Sequence, residues 1–102
     1  MFAVLEDKRE ALEALCRRFG VARLEVFGSV LRDDFRAGKS DIDLLVDFAP
    51  ADPYDVAHAY FDLLDELRTL FGVEVDLVMT GAVKNRYIAR EIERTKQLLY
   101  AA

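Results

Sequence analysis

Three aspartates are the residues of this sequence whose type and spacing could perform chemistry. Asp41 and Asp43 alternate along a β-rich segment, so both side chains face the same side of a strand, with Cα atoms about 7 Å apart. Asp76 lies within the apolar segment Val73–Val78, where an acid is costly without a compensating partner or metal. Because Mg²⁺ prefers carboxylate and phosphate oxygens and relieves repulsion between neighbouring carboxylates, we expect the three to form one magnesium-binding cluster. Two metals held there could clamp the attacking and leaving oxygens of an in-line displacement.

A glycine–serine turn precedes the first two aspartates. Gly28 and Ser29 join a predicted strand to a predicted helix, and eleven residues separate Ser29 from Asp41. Glycine lets the backbone approach a ligand closely, and the N–H groups at the start of a helix favour phosphate. Arg32 lies one turn further on and could reach a triphosphate or a pyrophosphate; an exposed ion pair with Asp33 or Glu25 explains it equally well.

The pattern of apolar residues predicts the elements that must position these groups. Gly20 is expected to end a first helix, and Gly72 a long amphipathic helix that starts at the Asp52-Pro53 cap. The predicted order is a helix to Phe19, strand Val21–Phe27, helix Ser29–Phe35, strand Ile42–Phe48, helix Pro53–Phe71, strand Val73–Met79, a helix marked by Val83, Tyr87, Ile88 and Ile92, and a short strand Gln97–Tyr100. We therefore expect an α+β fold, with one small mixed sheet and helices mainly on one side.

Length and composition restrict the class of protein. At 102 residues, 53% of them hydrophobic, the sequence predicts a single domain over residues 1–102. It contains no apolar run of the ~20 residues that a membrane span needs, and no recognisable signal peptide, so we expect a cytoplasmic protein. The net charge of −5 argues against direct nucleic-acid binding, whereas a nucleotide with Mg²⁺ remains compatible.

Other reactive residues have simpler interpretations. Cys16 is the only cysteine and His58 the only histidine; we expect the first in the core and the second to be non-catalytic. Lys84, Arg86 and Arg90 fall on the last predicted helix, where a solvated face explains them, although they could also contact a nucleotide or a partner.

These motifs together resemble the nucleotidyltransferase superfamily that includes DNA polymerase β, and most closely the minimal nucleotidyltransferases (MNT) of prokaryotes. The likeness is carried by Gly28-Ser29, the spacer, Asp41-Ile42-Asp43 and the later Val75-Asp76-Leu77-Val78, and it extends over nearly the whole sequence. Two features depart from the family pattern. The spacer is one residue longer than is common, and Arg32-Asp33 stands where Arg-Gly often occurs.

The resemblance implies a polymerase-β-like nucleotidyltransferase fold that binds Mg²⁺ and ATP. By that resemblance Asp41 and Asp43 are metal ligands, and Asp76 is a third ligand or the base for the acceptor. Gly28 and Ser29 would bind the β- and γ-phosphates, and Arg32 and Ser40 are expected in the same nucleotide site.

The family also implies a partner. Its members resemble antitoxins of two-gene modules, whose partner is an all-helical HEPN-domain ribonuclease toxin. The leading hypothesis is a protein adenylyltransferase that transfers AMP from ATP to a hydroxyl of that toxin, with tyrosine as the expected acceptor. The alternatives are a non-catalytic antitoxin that inhibits by complex formation and a small-molecule nucleotidyltransferase such as an antibiotic-modifying enzyme. The small size of the domain favours an acceptor carried by another macromolecule.

Overall fold

A computed structural model describes residues 6–28 and 42–102. Their elements, in chain order, are α1 (Arg9–Arg18), β1 (Val21–Phe27), β2 (Ile42–Phe48), α2 (Pro53–Phe71), β3 (Val75–Met79), α3 (Arg86–Thr95) and β4 (Gln97–Ala101). The helix predicted over Ser29–Phe35 lies outside the described residues.

The four strands form one mixed sheet in the order β3-β2-β1-β4. β1 is antiparallel to both β2 and β4, whereas β2 and β3 are parallel. The parallel pair needs a long crossover, and α2 supplies it. The predicted α+β class and the small mixed sheet are therefore confirmed, and the final strand, predicted as Gln97–Tyr100, forms an edge of that sheet.

One face of the sheet carries the hydrophobic core, against which α1 and α2 pack. Alternate residues of the central strands point into it and are fully buried, as the pattern predicted: Leu24, Val26, Leu44 and Val46. Each such side chain contributes about 1.5–3 kcal/mol by leaving water. Cys16 lies in the same core, as expected.

The ends of α2 are fixed by its sequence. The Asp52 side chain accepts a hydrogen bond from the backbone N–H of Tyr54 at 2.8 Å, and Gly72 ends the helix in the left-handed conformation with φ of 69°. Both predicted caps are confirmed. The strand that follows starts at Val75 rather than at Val73, because its ladder with β2 begins at the Ile42–Val75 pair.

The opposite face of the sheet, here called the site face, carries Asp43, Asp76, Glu25 and Leu45 and is partly covered by α3. Asn85 starts α3 by accepting hydrogen bonds from the N–H groups of Tyr87 and Ile88 at 2.9 and 3.2 Å. The described helices thus divide two to one between the faces, in line with the expectation of helices mainly on one side. Within the described ranges, none of the helices combines the length and apolarity needed to cross a membrane.

Candidate functional site

The parallel pairing of β2 with β3 brings two of the three predicted aspartates together. Asp43 and Asp76 are register partners, so their Cα atoms lie side by side at the inter-strand spacing of about 4.8 Å. Register partners point to the same face of a sheet, and this face is opposite to the core. Asp43 is half-buried on a central strand and Asp76 is exposed on the edge strand, so the pair opens towards solvent at one side.

Gly28 lies against the Asp43 carboxylate. Its φ is +76°, and a Cβ built on it would stand 2.1 Å from Oδ2 and 2.9 Å from Cγ of Asp43. A side chain at this position would therefore collide with the carboxylate as well as strain the backbone. The pairing of Phe27 with Asp43 causes this close approach, because it sets the end of β1 directly beside the aspartate. Glycine is therefore needed here to leave room for the Asp43 carboxylate, a role that the sequence did not reveal.

Four of the predicted site residues lie outside the described residues: Ser29, Arg32, Ser40 and Asp41. Their expected roles stay predictions. The described ranges 6–28 and 42–102 hold no group of three or more acidic, histidine or cysteine side chains that could bind a metal ion by themselves. Asp43 and Asp76 nevertheless offer two carboxylates on one face. A hard divalent cation such as Mg²⁺ fits this donor set, since it is usually bound by one or two carboxylates together with phosphate oxygens.

A cavity of about 600 Å³ opens beside Asp43 and Gly28. One wall is the end of β1 with Asp43, and the other is α3 with the start of β4. The α3 and β4 residues that line it are Ile88, Glu91, Ile92, Thr95 and Gln97. The volume lies within the range of about 300–1,000 Å³ that small-molecule sites occupy.

The α3 wall was missed by the sequence reasoning, although a signal was present. Ile88, Ile92 and Thr95 follow one another at spacings of four and three residues, which place them on one face of a helix. That pattern predicts a buried stripe but does not say which side of the sheet it covers. Ile92 is buried, whereas Ile88 remains 54% exposed at the mouth of the cavity.

A buried ion pair lies on the same face. The Glu25 side chain is almost fully buried and accepts a hydrogen bond from Nζ of Lys96 at 3.1 Å, while its other oxygen lies 3.3 Å from Nε of Arg23. Hydrogen bonds first to Glu93 and then to Glu25 raise the pKa of Lys96, so the ammonium stays charged. Among the described residues, every buried side-chain nitrogen or oxygen has a hydrogen-bond partner.

Other candidates lie away from this cavity. Lys84, Arg86 and Arg90 are exposed and do not line it; Nζ of Lys84 donates to the Gly81 carbonyl at 3.3 Å. Their role stays open. His58 lies on α2, a helix that packs against the core face, with its ring 4.4 Å from that of Tyr54; that it is not catalytic stays a prediction.

The sequence matches the nucleotidyltransferase domain family over residues 8–99. A Methanocaldococcus jannaschii protein assigned as a protein adenylyltransferase is 39% identical over 92 residues, which cover 90% of this chain and 88% of that protein.

Solved structures share the fold. A structure assigned as a minimal nucleotidyltransferase is 35% identical, with a TM-score of 0.73 and coverage of 91% of this chain and 90% of that one. The MNT antitoxin in complex with a tri-AMPylated HEPN toxin of Shewanella oneidensis superimposes with a TM-score of 0.64 over 95% of this chain and 72% of that one. At 19% identity the second likeness is one of fold.

Proposed function

The chain belongs to the nucleotidyltransferase domain family, and on that premise we propose that it is a magnesium-dependent protein adenylyltransferase that acts as an antitoxin. Its substrate is ATP, and its acceptor is a hydroxyl, with tyrosine the expected residue, on a partner HEPN ribonuclease toxin. Residues 1–102 act as one minimal nucleotidyltransferase domain. The observation that carries the proposal is the opposition of Asp43 and Asp76 on parallel neighbouring strands, beside a glycine that has no room for a side chain.

The proposed reaction is a displacement at the α-phosphorus of ATP. The acceptor oxygen forms a bond to that phosphorus, the bond to the oxygen bridging the α- and β-phosphates breaks, and pyrophosphate leaves with its electron pair. The acceptor hydroxyl loses its proton, and Asp76, which is exposed on the edge strand, is proposed either as the base that receives it or as the third metal ligand. Such a reaction depends mainly on positioning and charge stabilisation.

Asp43 and Asp76, with Asp41, would hold the magnesium. The bound cation would supply neutralisation of the triphosphate and of the facing carboxylates. Of the two proposed ligands that the structure describes, Asp43 is held more firmly than Asp76, because it lies on a central strand with Gly28 close against its carboxylate. Gly28 leads into Ser29, which we propose contacts the β- and γ-phosphates, with Arg32 and Ser40 in the same nucleotide site.

The nucleoside is proposed to occupy the cavity between β1 and α3. It is open to solvent at the Ile88 side, and it carries both apolar and polar lining groups, as nucleoside sites require. Thr95 and Gln97 offer hydrogen-bonding side chains, although the Thr95 hydroxyl already donates to the Glu91 carbonyl at 2.8 Å.

The partner is proposed from three lines of support. The M. jannaschii relative is assigned as an adenylyltransferase that acts on protein, and the S. oneidensis neighbour in fold is an antitoxin bound to an AMPylated HEPN toxin. The net charge of −5 also complements a ribonuclease that must attract RNA with a basic surface.

The deciding experiment compares three variants of similar size and charge. Asp43→Asn and Asp76→Asn should abolish transfer of labelled AMP from ATP to a HEPN toxin partner in MgCl₂. Asp47→Asn is the matched control, because Asp47 lies on β2 with the same parity as Asp43 but does not line the cavity. Equal labelling by all four proteins would overturn the mechanism.

Toxin neutralisation in cells separates the catalytic proposal from inhibition by complex formation. If transfer is the mechanism, Asp43→Asn fails to protect cells although it still binds the toxin. Protection by that variant would instead assign the antitoxin effect to binding alone. A gain of antibiotic resistance on expression of the wild type, without toxin labelling, would identify a small-molecule acceptor.

A further inference from the structure

Glu25 is a buried acid that has no role in the proposed reaction. Its side chain is 6% exposed, and its register partners on the site face are Leu45 of β2 and Leu98 of β4. Burying a carboxylate among leucines is costly unless charges and hydrogen bonds compensate it. The register between β1 and β4 shifts between Leu24 and Glu25, and such irregularities re-aim a side chain.

The compensating charge comes from the end of α3. Nζ of Lys96 donates to Oε1 of Glu25 at 3.1 Å, across 71 residues of sequence. Lys96 is the residue at which α3 ends, and its backbone N–H donates to the Ile92 carbonyl at 2.8 Å. The second Glu25 oxygen faces Arg23, whose side chain is largely exposed. The ion pair therefore ties the last turn of α3 to the middle of β1.

Within residues 6–28 and 42–102, few other contacts hold α3 in place. Of its ten residues only Ile92 is buried, so apolar packing alone holds it weakly. Yet the cavity depends on where α3 lies, because Ile88, Glu91 and Thr95 form the wall that faces Phe27 and Gly28. Glu25 stands two residues before Phe27, and Lys96 directly follows Thr95. The pair thus connects the strand and the helix whose residues form the two walls of the cavity, although neither residue lines it.

We propose that the Glu25–Lys96 pair is a positioning device that holds α3 at a fixed distance from β1 and so sets the width of the nucleoside cavity. This inference rests on the proposed function, since it assigns the cavity to ATP. Neither residue lines the cavity, and neither is one of the three proposed metal ligands. Their loss should therefore weaken nucleotide binding while leaving the chemical step nearly intact, which a loss at Asp43 or Asp76 would not do.

The test uses two substitutions that break the pair from opposite sides. Glu25→Gln keeps the size of the buried side chain and removes its charge, and Lys96→Met keeps the length of the stem and removes the ammonium. We expect each to raise the KM for MgATP about tenfold, with kcat changed less than about threefold, because the wall proposed to contact the nucleoside shifts while Asp43 and Asp76 keep their places. Lys96→Arg, which keeps the charge, should restore a KM near the wild-type value.

Glu93→Gln is the matched control. The Glu93 carboxylate also binds Lys96, at 2.8 Å, but Glu93 belongs to α3 itself and is exposed. Its loss therefore removes a carboxylate without breaking the contact between α3 and β1. An equal rise in KM for Glu93→Gln, or an unchanged KM for Glu25→Gln and Lys96→Met, would overturn the proposal.

Amide hydrogen exchange gives a readout that does not depend on activity. Residues 86–96 should exchange faster in Glu25→Gln and Lys96→Met, whereas α1 should be unchanged. Uniformly faster exchange throughout the protein would show a general loss of stability and would also overturn the proposal. If the wild type fails to bind MgATP, the proposed function and the nucleotide part of this inference fall together, while selective exchange in α3 would still establish the positioning role of the pair.

Discussion

Replacing Gly28 with alanine tests whether the glycine serves the acid beside it. The new Cβ would stand 2.1 Å from Oδ2 of Asp43, about 1 Å inside the 3.0 Å below which real Cβ contacts essentially do not occur. Cγ of Asp43, at 2.9 Å, is also too close for the carboxylate to escape by a small tilt, and Cβ, at 3.2 Å, must give by a few tenths of an ångström. The whole Asp43 side chain must therefore turn away from its position facing Asp76.

Gly72→Ala supplies the comparison that isolates this collision. Gly72 has φ of +69°, close to the +76° of Gly28, but no atom lies within 4 Å of a Cβ built there. Both variants should lose about 1–2 kcal/mol of unfolding free energy, because an L-residue is strained in the left-handed region. Only Gly28→Ala also displaces a proposed metal ligand.

Denaturant unfolding and calorimetric titration with MgATP measure the two effects separately. Mutation of a residue that orients a metal ligand typically costs about 10–100-fold in affinity, and the upper end equals about 2.7 kcal/mol of binding free energy. We expect that loss for Gly28→Ala and wild-type affinity for Gly72→Ala. If the two variants bind MgATP equally well, the close approach of Gly28 to Asp43 has no functional meaning and the reasoning fails.

Three further predictions concern the core and the acidic pair. Burial raises the pKa of the Cys16 thiol to about 12, so alkylation by iodoacetamide should be negligible in the folded protein at pH 8. Because that pKa is raised above the unfolded value of 9.0, the thiol's contribution to stability is complete below pH 9 and is lost as the pH rises towards 12, by at most about 1.4 kcal/mol per pH unit in denaturant titrations. Tyr60→Phe removes the hydrogen bond from the hydroxyl to the Leu77 carbonyl and should lower the unfolding free energy by about 1 kcal/mol. Asp76→Asn should stabilise the metal-free protein by roughly 0.2–1 kcal/mol at low salt, because like charges directly opposite on neighbouring strands repel; no change in melting temperature at low salt would contradict this.

Two features of the site could be predicted from the sequence: the strand that contains Asp43, and the position of Asp76 on the site face. Both have a local cause. Alternation in Ile42–Phe48 fixes which residues enter the core, and the remaining parity must then carry the acids. The caps of α2 at Asp52 and Gly72 were predictable for the same reason, since each depends on the preference of a single residue.

Long-range relations could not be obtained in this way. The register that sets Asp43 opposite Asp76 depends on how β2 and β3 slide past each other, which neither strand encodes alone. The α3 wall depends on which face of the sheet its apolar stripe covers, and the sequence pattern is the same for either face. Glu25 and Lys96 are 71 residues apart, so no local sequence pattern predicts their contact.

The different roles of the two faces of the sheet explain why such a small domain can hold a site whose charged groups lower its stability. The core face buries apolar residues of every strand and of α1 and α2, whereas the site face buries Leu45 and Ile92 among the described residues, so most of the hydrophobic stabilisation is gained on the core face. The site face can then place two like charges side by side and a buried carboxylate two strands away from Asp76, each of which lowers stability by itself. Strands β2 and β3 carry residues on both faces of the sheet. The leucine and valine residues that fix their register on the core face therefore also fix the spacing of Asp43 and Asp76 on the site face. The geometry of the acids is therefore determined by hydrophobic packing that they do not themselves contact.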